Sequence, residues 1–387
     1  MKIYQDKNRK TDGEPAAWYI ETYLFLQRST HWEYYINLAN QYLKLFVMNL
    51  KFLPRLILLV GVLFSITITQ AEQPLRLIAF GSCLKETRPQ PIWESVNAAN
   101  PDIFVLLGDN IYGDTRDMKK LKGKWDTLAA VPGFSKLRAR CRLLGTWDDH
   151  DYGENDAGIE YPKKVESQQL FLDFLGEPND SVRRKTMGIY DKQTIGPKGK
   201  RVQFILLDTR YFRTPLKRAP KREKGKGPYG PNESDKAEIL GEAQWEWLEK
   251  TLLEPSEIRI IATSIQVVST THGWESWGNF PKERQRFLDL LKKTKANGVI
   301  LLSGDRHSAE ISKLEGALSY PLFDVTSSAM NQREQPGKEE NIHRIGDRYF
   351  RENFGVLKID WSKSSPRVSM EIRDIEGKVV RKALVVF

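Results

Sequence analysis

Four apolar runs in this chain each stop at a residue type that binds metals. Leu75–Phe80 leads into Gly81-Ser82-Cys83, and Ile103–Leu107 into Gly108-Asp109-Asn110-Ile111-Tyr112. Leu143–Thr146 leads into Trp147-Asp148-Asp149-His150-Asp151, and Val299–Leu302 into Ser303-Gly304-Asp305-Arg306-His307. Short unbroken apolar runs read as strands buried on both faces, the pattern of parallel strands under helices. Open α/β sheets carry their ligand site outside the carboxyl ends of the strands. Cys83, Asp109, Asp149, Asp305 and His307 are therefore expected to converge, although they span most of the chain. One Gly-Asp after one strand is an ordinary turn. Four strand ends bearing thiol, carboxylate and imidazole together imply a polynuclear metal site, whose usual task is to activate water and clamp a phosphate.

The rest of the chain suits that frame. Strands at 75–82, 102–107 and 142–147 alternate with helices near 91–99, near 116–130 and at 164–175, which is βαβ rhythm. A β-rich stretch follows, from Gly188–Tyr190 through a Gly-Pro-Lys-Gly turn into Val202–Leu207, which ends at Asp208-Thr209-Arg210. Then come helix 241–253, strand Ile258–Val268, helix 281–295 and strand 298–303. The tail reads as antiparallel: Leu322–Thr326, Gly355–Asp360 and Val368–Phe387 with a turn at Glu376-Gly377. No repeat and no linker long enough to divide domains interrupts it.

The first 71 residues read differently. Met48-Asn49-Leu50-Lys51 with Arg55 forms a basic n-region, Leu56–Phe64 an apolar h-region, and Thr69-Gln70-Ala71 a small-residue cleavage site. This is the pattern of a secretory signal peptide at 48–71, placed internally. The alternative is a signal anchor, but the apolar run is short against the ~20 residues that span a bilayer. The natural start is then Met48, residues 1–47 are an upstream extension, and 72–387 is the mature domain, secreted or in the periplasm or cell envelope with no stable membrane span. The aromatic stretch Trp18–Phe46 is alternatively an amphipathic helix.

Removing that leader lowers the formal net charge from +10 to +7. A basic enzyme suits an anionic substrate, and equally suits solubility. The excess is concentrated in Arg213–Lys226, seven Lys or Arg against one Glu, with two prolines and a glycine. That stretch is either a solvated loop or a mobile electropositive lid. No nucleic-acid-binding module is visible. The chain has two cysteines. Cys83 follows its strand and Cys141 precedes another, so in parallel neighbours they lie at opposite sheet ends, roughly 20 Å apart for six residues. A disulfide needs Cα atoms within about 7 Å, which leaves Cys83 free as a thiolate ligand and Cys141 as a buried apolar residue.

Together, Gly81-Ser82-Cys83, Gly108-Asp109-Asn110-Ile111-Tyr112-Gly113-Asp114, Trp147-Asp148-Asp149-His150-Asp151 and Ser303-Gly304-Asp305-Arg306-His307 resemble the PhoD-like (alkaline phosphatase D) family, of the calcineurin-like metallophosphoesterase superfamily. Leu207-Asp208-Thr209-Arg210-Tyr211 resembles it too, and the likeness runs from about residue 75 to the C-terminus. It implies an α/β fold of two stacked mixed β-sheets flanked by helices, an αββα sandwich. It also implies an exported enzyme that hydrolyses phosphate esters by attack of a metal-bound hydroxide. In the wider superfamily the first strand ends in Asp-x-His; here, as in the PhoD-like branch, Cys83 stands instead. Asp109 matches the carboxylate that bridges metals, and Tyr112 the phenolate ligand of the branch. Asp149 stands where the superfamily has the Asn of Gly-Asn-His. His150 follows as the catalytic histidine that contacts substrate and protonates the leaving oxygen. Asp305 and His307 replace the two histidines of Gly-His-x-His. The branch holds Fe(3+) by thiolate and phenolate with Ca(2+) nearby, which fits the local chemistry: anionic thiolate and phenolate suit a trivalent iron, and oxygen-only neighbours suit calcium.

Other positions transfer less directly. Gln266 stands near a further superfamily His ligand and reads as structural, while His272 could reach the pocket from a loop. Asn155 and Asp156 are calcium ligands or turn formers. Arg210 is a phosphate-binding guanidinium or a partner for Asp208. Trp274-Glu275-Ser276-Trp277 looks like a cleft wall or, equally, like aromatics that pack a loop. The leading function is hydrolysis of phosphate mono- or diesters. A phospholipase D-like phosphodiesterase, or a non-catalytic phosphate- or polymer-binding protein on the same fold, is the alternative; a pure binder has no need of His150 as general acid.

Overall fold

The computed structural model describes residues 37–41, 73–337 and 339–387. The chain divides into two compact units, 1–70 and 71–387. In the first, the described residues form one helical turn at 37–41. The signal peptide expected at 48–71, and all but that turn of the extension, lie outside the described residues. No helix among the described residues is long and apolar enough to cross a membrane.

The second unit opens with β1 (Leu77–Gly81), α1 (Ile92–Ala99), β2 (Ile103–Leu107), α2 (Met118–Ala129), α3 (Pro132–Arg138) and β3 (Arg142–Thr146). The short α4 (Asp149–Tyr152) and α5 (Lys164–Leu175) follow, then β4 (Asp191–Ile195), β5 (Val202–Leu206), α6 (Gly241–Leu252), β6 (Ile258–Ala262), α7 (Pro281–Lys293) and β7 (Val299–Ser303). The chain ends with β8 (Ala309–Leu314), β9 (Leu322–Ser327), β10 (Asn353–Asp360), β11 (Arg367–Asp374) and β12 (Val379–Val386). Local chemistry sets the helix ends. The Asp117 carboxylate accepts from the N–H groups of Lys119 at 2.9 Å and Lys120 at 3.2 Å and so caps α2. Gly176 stops α5 at φ 79°.

Two six-stranded mixed sheets result, in the orders β12-β11-β10-β1-β2-β3 and β4-β5-β6-β7-β9-β8. β1, β2 and β3 run parallel, as do β5, β6, β7 and β9. The remaining strands are antiparallel additions at the flanks. Alternation along each strand explains the continuous apolar runs. Ile78, Phe80, Val105 and Leu107 meet Phe204, Ile260 and Leu302 between the sheets. Ala79, Phe104 and Leu106 face outward onto Trp93, Trp125, Phe134 and Phe171 of the first helical layer. On the other sheet, Ile205, Ile261 and Leu301 face Trp245 and Phe287 of α6 and α7. The unit is therefore a helix–sheet–sheet–helix sandwich, as the resemblance implied.

Three details differ from the sequence reading. β9 is parallel to β7, not part of an antiparallel tail; the antiparallel partner it needs is β8, whose weakly apolar Ala309–Leu314 gives little strand signal. α3 is an additional short helix. The run Ile258–Val268 leaves the ladder after Ala262, because the N–H groups of Val267 and Val268 go instead to the buried Asp324 carboxylate at 2.9 and 3.0 Å. No disulfide joins the cysteines; both are buried and free.

Candidate metal centre

The loops after β1, β2, β3 and β7 meet at one rim. Their approach depends on glycine: a Cβ on Gly108, which has φ +95°, would lie 2.5 Å from Asp148 Cβ, and one on Gly304 would lie 2.6 Å from Ser82 Oγ. The side chains they present are held in an uncommon backbone state. Cys83, Asp109, Asp305 and His307 have φ between 49° and 64°, and the neighbouring Asp114 and Asp156 have φ 45° and 57°. Left-handed backbone costs an L-residue about 1–2 kcal/mol and persists where the surroundings enforce it, commonly at functional sites.

Ligand-type atoms gather accordingly. Cys83, Asp109 and His307 place a ligand atom each within 4.8 Å of one another, as do Asp109, Asp149 and His150, and as do Asp109, Asp148, Asp149 and Asp305. Asp109 belongs to all three groups. Its Oδ2 receives the Cys83 thiol at 3.4 Å and the Tyr112 hydroxyl at 3.4 Å. Tyr112 Oη also lies 3.0 Å from His307 Nε2. Cys83 Sγ lies 3.1 Å from Ser328 Oγ, which accepts from the His307 N–H at 3.0 Å. Asp149 accepts from the N–H of Asp156 at 2.6 Å. Thus Cys83, Asp109, Tyr112, Asp149, His150, Asp305 and His307 come together.

Arg210 lies deeper. Its guanidinium is fully buried, with Nε 2.5 Å from Asp148 Oδ1 and Nη1 2.7 Å from Glu275 Oε2. Only its backbone N–H reaches Asp208, at 2.9 Å. Gln266 is engaged by Glu310 at 2.7 Å and Thr326 at 2.8 Å. His272 is buried outside the ligand groups, its Nδ1 accepting the Trp274 N–H at 3.0 Å; burial and the nearby Arg306, Arg348 and Arg344 hold it well below its usual pKa, so it is neutral. Asp156 gives its carboxylate to the Tyr229 hydroxyl.

The electrostatics are those of a site built around cations. Burial pushes the Cys83 thiol up to about 12 and the Tyr112 phenol well above its ordinary value. Burial, reinforced by neighbouring anions, also raises Asp109, and brings Asp305 to about 7. Burial raises Asp148 too, against the pull of Arg210. Although burial opposes it, Asp149 is held below the ordinary carboxylate range by His150 and Arg210. Burial likewise opposes charge on His150, but Asp149, Asp109 and Asp114 outweigh it and raise the imidazole to about 11. Its Nδ1 is fixed 2.7 Å from Asp114 Oδ1. Buried Asp109 Oδ1 and Asp148 Oδ2 have no hydrogen-bond partner. Orphan carboxylate oxygens inside a thiol–phenol–imidazole–carboxylate cluster fit metal ions, whose charge reverses these upward shifts.

Asp148, Asp151, Asp114 and Ser328 are the residues the sequence reading did not single out. The Asp151 carboxylate binds the N–H groups of Asp148 at 2.6 Å and Asn110 at 3.1 Å, and the Asn110 amide at 2.5 Å, tying the second loop to the third. Three of these four stand inside the quoted motifs, so their positions were marked though their roles were not; Ser328 carries no local signal.

A sequence profile of PhoD-like phosphatases matches residues 78–332. Alkaline phosphatase D of Bacillus subtilis (strain 168) is 25% identical over 303 residues, 67% of this chain and 49% of that protein. The chain thus spans about half the length of that curated relative. Among solved structures, PhoD matches with a TM-score of 0.63 at 17% identity, over 82% of this chain and 69% of that one. A purple acid phosphatase from yellow lupin (Lupinus luteus) seeds matches with a TM-score of 0.56 at 12% identity, over 81% and 54%. At these identities the two structures establish a common fold.

Proposed function

This chain belongs to the PhoD-like phosphatase family, and from that premise we propose that it is an exported, metal-dependent phosphoesterase acting on phosphate mono- or diesters. The observation that carries the reading is the convergence on Asp109 of three ligand groups beside a histidine whose Nδ1 is fixed by Asp114. The name of the curated relative supports it.

Cys83, Asp109, Tyr112 and His307 would hold one ion, and Asp109, Asp149 and Asp305 a second. Thiolate and phenolate suit Fe(3+), and the oxygen-rich side suits Ca(2+). When bound, such ions neutralise phosphate oxygens and make water nucleophilic near neutral pH. The chain's own residues do the rest. Asp151 and Gly304 fix the loops. His150, anchored through Nδ1 by Asp114, presents Nε2 as the proton carrier for a leaving oxygen. Asp114 keeps that ring oriented.

The test is turnover of p-nitrophenyl phosphate and bis(p-nitrophenyl) phosphate, with metal analysis of protein purified without added metal. Hydrolysis of at least one ester, with iron and calcium retained, is expected. A folded, metal-loaded protein that turns over neither would defeat the proposal; zinc or manganese alone in an active preparation would defeat the metal assignment.

A further inference from the structure

Between Lys217 and Lys226 the chain carries six Lys or Arg and one Glu. Lys217, Arg218, Lys221, Arg222 and Lys224 are exposed. The one acid is used internally, by Lys226 at 2.8 Å. No carboxylate among the described residues lies within ion-pair distance of the five exposed cations. The segment is a hairpin: Ala219 N–H donates to Pro228 O and Gly230 N–H to Lys217 O, each at 2.9 Å, with Arg218 and Tyr229 bridged.

Two independent tethers place this hairpin beside the metal centre. The Tyr229 hydroxyl donates to the Asp156 carboxylate, and the Asp156 N–H donates to Asp149. On the other side, Arg222 lies over the Trp274 ring at 5.4 Å, and Arg306, between Asp305 and His307 in sequence, lies near the same ring at 6.0 Å. The backbone is pinned as well, Gly227 N–H to His272 O and Tyr229 N–H to Gly273 O, each at 2.8 Å. The root is fixed by Arg213, buried, with Nε 2.9 Å from Glu275. The basic stretch is therefore a tethered arm, not the swinging lid its composition allowed.

Five cations without an acidic partner, held beside a centre that takes phosphate, form an electrostatic trap for a second anion on the same molecule. Resting on the phosphoesterase reading, we propose that the exposed face of the 217–226 hairpin is a subsite for a further phosphate group. The preferred substrate then carries at least one phosphate besides the scissile one. Lys221 and Lys224, at the tip, meet that group directly. Arg218 and Arg222 also brace the arm through the Tyr229 and Trp274 rings, at 5.9 and 5.4 Å.

The test measures binding, so it does not depend on turnover. Calorimetry with the metal-loaded full chain compares the non-hydrolysable phosphonate analogues of thymidine 5′-phosphate and thymidine 3′,5′-bisphosphate, in which a methylene group replaces each ester oxygen. The bisphosphate analogue should bind about tenfold more tightly at low salt, and the preference should shrink as salt screens the arm. In a Lys221→Glu, Lys224→Glu double variant the preference should vanish, while in Lys136→Glu, on α3, it should persist. Equal affinity for both ligands in the parent protein, or an unchanged preference in the double variant, overturns the subsite. Turnover of p-nitrophenyl phosphate is followed in parallel. A protein that prefers the bisphosphate analogue yet hydrolyses no ester keeps the subsite and loses the catalytic reading.

Discussion

Replacing Arg210 by Ala separates two roles that its position at a strand end allows. In the structure its guanidinium bridges Asp148 and Glu275, and Arg213 holds the far oxygen of Glu275 at 2.9 Å. Asp148 Oδ1 also accepts from Ser264 Oγ at 2.8 Å. All the charged groups are buried. Removing one partner of a buried charge pair costs about 3–5 kcal/mol, because the survivors stay out of water. The unit spanning 71–387 has an unfolding entropy of roughly 0.65 kcal/mol/K, from about 2.1 cal/mol/K per residue. The expected loss is therefore a Tm lower by roughly 5–8 °C. Arg210→Lys keeps the charge but cannot fork between two carboxylates, and should fall between the two. Calorimetric melting of metal-loaded protein gives the shift, and steady-state kinetics on the same samples gives KM. A Tm within about 1 °C of the parent together with a tenfold rise in KM would refute the reasoning, since Arg210 would then be gripping substrate, not the floor under the metal carboxylates.

Cys83→Ser and Tyr112→Phe should each lower bound iron and weaken a visible charge-transfer band; full iron and full activity in Cys83→Ser would remove it from the ligand set. His150→Ala should keep its metals and lose about 10²–10⁴-fold in turnover, with a larger loss for alkyl than for p-nitrophenyl esters, whose leaving group needs little protonation. Equal losses for both, or loss of metal, would make His150 a ligand or a phosphate-positioning group. Chelated, metal-free protein should become more stable on acidification from pH 8 to 5.5. Asp305 and Asp151 titrate near 7 when folded but near 4 when unfolded, so the folded state binds extra protons through that window and loses stability as pH rises. His150, raised to about 11, acts in the same direction above about 6.5, and His307, lowered to about 4, opposes it. A chelated protein whose Tm climbs with pH would contradict the shifts.

Much of the fold was legible because buried parallel strands announce themselves. Ile103–Leu107 and Val299–Leu302 have apolar side chains on both faces for a physical reason, one face packing on the opposite sheet and the other on helices. The strand-end loops marked the centre for the same reason. What stayed hidden was set by contacts distant in sequence. Nothing near Val267 says that its N–H will find Asp324, and nothing near Ala309 says that its strand will be paired by β9 and bridged by Tyr349. Arg210 reads as a strand-end cation available to substrate; that its charge is consumed by Asp148 and Glu275 depends on two other loops arriving at the same place.

The pairing of β1 with β10, Leu77 opposite Lys358, has a consequence for how the molecule comes to be folded. Every candidate ligand lies before residue 310, and the profile match ends at 332. Yet half of the first sheet is supplied by β10, β11 and β12. During synthesis the edge of β1 stays open until almost the whole chain has emerged, an unpaired hydrophobic edge of the kind that invites aggregation. Closing a sheet between strands so far apart in sequence is slow, since the loop entropy is spent before the contacts form. A chain stopped at residue 352 would keep each residue of the metal centre and lack the strand that seals Phe80 against Gly355.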